Sequence, residues 1–157
     1  ASSAPPELYT AIKRAADAGV ILIAAAGNDA GAVNYPARFE EVIAVAALDA
    51  RGNMAHFSSH GPEVDAIAPG VDIYSTYKDN GYAKLNGTSQ ACPFIAGVCA
   101  LMLAWTRKNP SLKPICDYKD MLQRLDDVSS LESQNITIGR TGDWGFGVPK
   151  YANMKFN

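Results

Sequence analysis

One serine in this sequence, Ser89, stands where the chain could expose a nucleophile at the mouth of a helix. It follows the small-residue turn Asn86-Gly87-Thr88 and leads into an apolar stretch that reaches Trp105. Backbone N–H groups at a helix entrance lack intrahelical partners, and the helix dipole favours negative charge there. A hydroxyl so placed, with its backbone pinned by the core behind it, has the setting of an attacking group. The competing reading is structural: Thr88 or Ser89 as an N-cap, the commonest task of either residue at a helix start. Taken alone, the motif favours the cap.

The elements around it read as strands and helices in alternation. Pro5-Pro6-Glu7 opens a helix that Ser2 or Ser3 would cap. Leu8, Ile12, Ala15 and Ala16 lie on its inner face, and Gly19 ends it. The run from Val20 to Ala26 has no polar alternation, as expected of a strand buried on both faces of a parallel sheet. Gly27-Asn28 closes that strand at its carboxyl end, where open α/β sheets place ligands. A second buried strand is expected over Val42–Leu48, a short one from Val64 to Ala68, and a hairpin from Val71 to Leu85. The Ser89 helix is apolar nearly all round, which predicts a central position, and Pro93 is tolerable only close to its start. An amphipathic helix from Cys116 to Leu125 turns Met121, Leu122 and Leu125 inward. A loop from Ser129 to Gln134 and a glycine-punctuated return from Gly142 to Pro149 complete the pattern. The fold class is α/β.

Composition bounds the function. The 157 residues suit one domain, with 48% hydrophobic and 19% charged residues. A net charge of −2, with 14 basic and 16 acidic residues and no basic block, offers no footprint for nucleic acid or an anionic membrane. The apolar run from Phe94 to Trp105 is too short to span a bilayer and reads as a buried helix. Three cysteines, Cys92, Cys99 and Cys116, make no disulfide framework, and no Cys/His cluster suggests zinc.

Three separated stretches resemble one family in order and spacing. They are Ala24-Ala25-Ala26-Gly27-Asn28, then Phe57-Ser58-Ser59-His60-Gly61-Pro62 with Ile67-Ala68-Pro69-Gly70, then Asn86-Gly87-Thr88-Ser89-Gln90-Ala91-Cys92-Pro93. The set is similar to the subtilisin-like serine proteases, or subtilases, and Tyr35-Pro36-Ala37 matches a fourth element. The resemblance implies the C-terminal part of a subtilisin-like parallel sheet flanked by helices. It implies a serine endopeptidase with Ser89 as nucleophile and Asn28 as the oxyanion-hole side chain. Ala25, Ala26 and Gly27 would line the pocket for the substrate residue before the scissile bond. Asp29 would stand beside it and bias it toward basic side chains. A structural calcium held by the backbone carbonyls of Ala37 and Phe39 is a further family trait. Protein or peptide substrates, a propeptide or inhibitor as partner, and a secreted or extracytoplasmic location follow from the same resemblance. Asn135-Ile136-Thr137 fits the N-glycosylation pattern, which has meaning only in a secretory-pathway protein.

The departures are as informative. The family's Asp-[Ser/Thr]-Gly and His-Gly-Thr-His contexts belong upstream of Asn28, and neither occurs in the sequence. His56 and His60 follow Asn28 and read as surface residues. Serine without a positioned base is a poor nucleophile. The whole of 1–157 is therefore expected to be the C-terminal portion of one catalytic domain. Its aspartate and histidine would come from a separate N-terminal segment, and the alternative is an inactive subtilase-like pseudoprotease that binds or activates another protein. Phe94 takes a position where the family commonly has histidine, and Gln90 one where it has methionine beside the nucleophile.

Overall fold

The computed structural model describes residues 3–130 and 148–149. Helix α1 (Pro6–Asp17) opens on Pro5 without a side-chain cap, where the sequence predicts a serine cap. A proline among the first helical residues removes an N–H that has no intrahelical partner anyway. Ile12 is the buried residue of α1, with Leu8, Ala15 and Ala16 half-buried on the same side. Gly19 follows in the left-handed region, φ +78°.

Strands β1 (Leu22–Ala25), β2 (Val42–Leu48) and β3 (Ala66–Pro69) form a parallel sheet in that order. β2 is central and all seven of its residues are buried. Its Ile43, Val45 and Ala47 enter one core, and Ala44, Ala46 and Leu48 the other, as the twofold period of a strand requires. The sequence expectation of double burial holds for β2 and fails for β1. β1 is shorter than the apolar run that encodes it and every residue is only partly buried. An edge strand has hydrogen-bonding neighbours on one side alone, and apolar sequence does not reveal that.

β4 (Ile73–Thr76) and β5 (Tyr82–Leu85) make an antiparallel hairpin, with Tyr74 and Tyr82 stacked at 5.4 Å on its exposed face. The chain then enters α2 (Thr88–Lys108), which lies across all three parallel strands. Ala91, Ile95, Cys99 and Met102 seat it on the sheet. Among the described residues the opposite side is open, with Phe94 and Leu101 exposed and nothing within 4 Å of where a Cβ on Gly97 would stand. The expectation of a helix buried all round is therefore corrected. An apolar composition cannot tell one-sided from two-sided burial. At 21 residues α2 extends beyond its apolar run, and by length and composition alone it is long and apolar enough to cross a membrane.

α3 (Tyr118–Val128) packs Met121, Leu122 and Leu125 into the core as predicted. It begins later than Cys116 because Asp117 and Asp120 use their side chains on the entering turn. The Asp117 carboxylate accepts the Asp120 N–H, and the Asp120 carboxylate accepts the Cys116 N–H. A two-residue ladder of β6 (Ser129–Ser130) with β7 (Val148–Pro149) closes the described chain, placing strand where a loop is expected at 129–130. The remainder of that loop, the glycine-rich return before Val148 and the Asn135 glycosylation motif lie outside the described residues.

Candidate active site

The site is assembled where the carboxyl ends of β1 and β3 meet the start of α2. Gly70, just past β3, brings these parts together. Its N–H donates to the Leu48 carbonyl at 2.9 Å, and its own carbonyl accepts the Gly87 N–H at 2.8 Å. A Cβ on Gly70 would fall 2.6 Å from the Ala47 Cβ and 2.8 Å from the Gly87 carbonyl oxygen. Only a residue without a side chain permits that approach, so the turn before Ser89 is packed directly against β2.

Ser89 is exposed at the second position of α2. The Thr88 N–H donates to Asn28 Oδ1, and the N–H groups of Gln90 and Ala91 donate to the Gly87 carbonyl. The Ser89 N–H has no acceptor among the described residues. Pro93 has no N–H to give the Ser89 carbonyl its helical bond, which loosens the first turn without breaking the helix.

Asn28 is fixed by Thr88. Both the backbone N–H and the hydroxyl of Thr88 donate to Asn28 Oδ1 at 2.9 Å. The Thr88 hydroxyl also accepts the Gly27 N–H at 3.2 Å. With Oδ1 engaged twice as an acceptor, the amide orientation is settled and Nδ2 faces outward as a donor. A Cβ on Gly87 would lie 3.2 Å from Asn28 Nδ2 and 3.6 Å from the Ser89 backbone N. Two donors therefore flank Gly87 at the positive end of a long helix, with Gln90 Oε1 nearer still, 2.7 Å from where a Cβ would stand. Such a pair can hold a developing oxyanion. The sequence singles out Ser89 and Asn28 as candidates but reads Thr88 only as a cap. The signal for its real task, a hydroxyl reaching back sixty residues to a strand end, is not local.

Ala25, Ala26 and Gly27 run from the end of β1 toward Asn28. The Ala26 N–H donates to the Val45 carbonyl at 2.8 Å, and the Gly27 carbonyl accepts the Ser59 N–H at 2.8 Å. The Asp29 carboxylate accepts the Asn34 Nδ2–H. Ser58 and Ser59 are buried, and the Ser58 hydroxyl accepts the Ala47 N–H at 3.0 Å. His56 and His60 are exposed, and neither hydrogen-bonds Ser89. Burial pushes the Cys99 thiol up to about 12 and raises that of Cys92.

The metal expectation meets a thin donor set. The Phe39 carbonyl accepts the Val42 N–H, and the Ala37 carbonyl accepts no hydrogen bond among the described residues. Calcium takes about six to eight oxygens, and two backbone carbonyls fall short of that. Among the described residues no group of three or more His, Cys, Asp or Glu could hold a metal, so these residues do not by themselves make a calcium site.

Comparison with known proteins agrees with this arrangement. The model of the subtilase family matches residues 1–124. Subtilisin Savinase of Lederbergia lenta is 47% identical over 142 residues, covering 90% of this chain and 48% of the relative. Subtilisin DY of Bacillus licheniformis is 46% identical over 116 residues, 68% of this chain and 41% of the relative. A thermostable alkaline protease of Halalkalibacterium halodurans is 50% identical over 102 residues, 64% of this chain and 28% of the relative. The chain thus spans at most about half the length of these curated relatives. With the family model matching most of the chain and a relative 47% identical over 90% of it, the chain belongs to the subtilase family.

Proposed function

We propose that this chain is the nucleophile-bearing part of a serine endopeptidase. Ser89 attacks the scissile carbonyl, and the oxyanion sits between Asn28 Nδ2 and the Ser89 N–H. Water then hydrolyses the acyl-enzyme. The observation that carries the reading is the pair of donors that flank Gly87, Asn28 Nδ2 and the Ser89 N–H, the first oriented by Thr88. Ala25, Ala26, Gly27 and Asn28 border the path of the substrate, and Asp29 stands beside it.

The general base is a histidine, oriented by an aspartate, from a separate N-terminal segment of the same protease. That segment pairs with the free edge of β1 and covers Phe94 and Leu101 on α2, both of which present apolar surface that a lone domain would hide. The substrates are proteins or peptides, a propeptide or inhibitor is a natural occupant of the same cleft, and the setting is extracytoplasmic. A backbone-held calcium near Ala37 and Phe39 would need further ligands.

One observation favours a second reading, an inactive binding or activating partner: neither histidine of the chain engages Ser89. A fluorophosphonate separates the two. The protein as isolated, with any companion chain, is treated and the adduct mapped by mass spectrometry. Labelling of Ser89 beside a companion carrying the Asp and His motifs is the expected result. An unlabelled Ser89 with a companion lacking those motifs would overturn the enzyme reading.

A further inference from the structure

Most residues of β4 and β5 are exposed, yet two tyrosines on them lie ring against ring. Tyr74 pairs across the hairpin with Lys84, and Tyr82 with Thr76, so the two tyrosines are diagonal neighbours on one face. Their ring centroids are 5.4 Å apart and their planes differ by 16°. They remain 65% and 63% exposed, open to any small reagent in the solvent. The register that brings them together is held at both ends of the hairpin. At the closed end, Asp79 and Asn80 take φ of 57° and 55°, the backbone of a type I′ turn, and the Gly81 N–H donates to the Lys78 carbonyl at 3.1 Å. At the open end the Asp72 N–H donates to Asn86 Oδ1 at 2.6 Å. A slip of one residue would send the tyrosines to opposite faces, and these bonds oppose it.

We propose that Tyr74 and Tyr82 form an oxidative cross-linking site, at which a peroxide, acting through a one-electron peroxidase, joins the two rings as dityrosine. The oxidant takes one electron from each phenol, and each phenolic proton passes to water. The unpaired electron of a phenoxyl radical resides partly on the ring carbons next to the oxygen-bearing one. A carbon–carbon bond forms between one such carbon of each ring. Those two carbons then lose their hydrogens as protons and each oxygen takes one up, restoring both phenols. The protein loses two hydrogens in all, and hydrogen peroxide accepts two electrons and two protons to leave as two waters. Proximity selects the pair, because two radicals on one hairpin meet far more often than radicals on separate molecules. Other described tyrosines lack such a neighbour. Tyr9 and Tyr35 lie against Phe39, which has no phenol, at 5.0 and 4.7 Å. Tyr77 is 48% exposed and stacks on no ring among the described residues. The new bond would tie β4 to β5 just ahead of the turn that leads to Ser89, and it needs no activity of that serine.

The test treats the protein as isolated, with any companion chain, with a haem peroxidase and hydrogen peroxide at low protein concentration. Tryptic cleavage after Lys78 puts Tyr74 and Tyr82 in different peptides, so the cross-link joins peptides 52–78 and 79–84 with two hydrogens missing. This product should exceed dityrosine formed between molecules by about tenfold or more. Tyr74→Phe and Tyr82→Phe each keep the ring but remove the phenol, and each should abolish the product. Tyr77→Phe should leave it in place. A join between the same two peptides that survives Tyr74→Phe would assign the chemistry to Tyr77 and overturn the proposal. Dityrosine found only between molecules would also overturn it. So would its absence under conditions that couple free N-acetyltyrosine amide.

Discussion

Thr88 grips Asn28 with two donors on a single oxygen: its backbone N–H and its hydroxyl each reach Asn28 Oδ1 at 2.9 Å. The grip leaves the other end of the amide pointing outward, the end that the proposed mechanism uses. Replacing Thr88 by valine keeps the shape but removes one donor and the acceptor for the Gly27 N–H. We expect kcat to fall about tenfold with KM little changed, a loss of about 1.4 kcal/mol in transition-state stabilisation. Thr88→Ser should retain most of the rate. Steady-state kinetics on one peptide substrate checks both, and an unaltered Thr88→Val would show that Asn28 needs no positioning.

Gly87 is required for the space it leaves. A methyl group there meets Gln90 Oε1 at 2.7 Å and Asn28 Nδ2 at 3.2 Å, so it intrudes where the oxyanion would sit. Gly87→Ala should lower kcat as far as removing a donor does. The magnitude, about 2.7–4 kcal/mol, is the usual cost of losing one oxyanion-hole donor. Asn28→Ala added to Gly87→Ala should cost little more, since both changes remove one arrangement. Rates of fluorophosphonate labelling for the two single variants and the double variant measure this, and full additivity would contradict it.

The cysteines should separate by burial. Cys99 is nearly inaccessible and burial holds its thiol at about 12, whereas Cys116 is exposed. A neutral thiol is a poor nucleophile, so a small alkylating agent at pH 8 should modify Cys116 and spare Cys99 until the protein unfolds. The sign of the pH effect follows. The folded-state value of Cys99 is raised, so its contribution to stability is complete below the ordinary thiol value of 9.0. It declines as pH rises from there toward about 12. Mass mapping after timed alkylation reads the first claim, and thermal melts of wild type and Cys99→Ala across alkaline pH read the second.

Much of this architecture is legible in the residues. β2 is an unbroken apolar run, and as the middle strand it is buried on both faces as the run implies. Ser89 and Asn28 stand out because their neighbours are small and their positions fall at element ends. What the sequence hides depends on neighbours far along the chain. β1 carries the same apolar signal as β2, yet its burial is set by which strands flank it. Asn34 looks like any loop asparagine until the bare Cα of Gly27 is found beside its amide. Thr88 reads as a cap because a hydroxyl at a helix start has a local use, and its distant one depends on where β1 ends.

The open side of α2 has a bearing on how the protein could be engineered. Gly97 sits in the interior of that helix, and outside the helix's own backbone a Cβ there would meet nothing within 4 Å among the described residues. Alanine at such a place favours a helix by about 0.8–1 kcal/mol over glycine, so for this chain by itself Gly97→Ala is a stabilising change. Once another segment lies close against the helix, the same methyl group becomes an obstruction and the change turns harmful. Residue 97 thus serves as a gauge of how closely α2 is approached by any proposed partner segment.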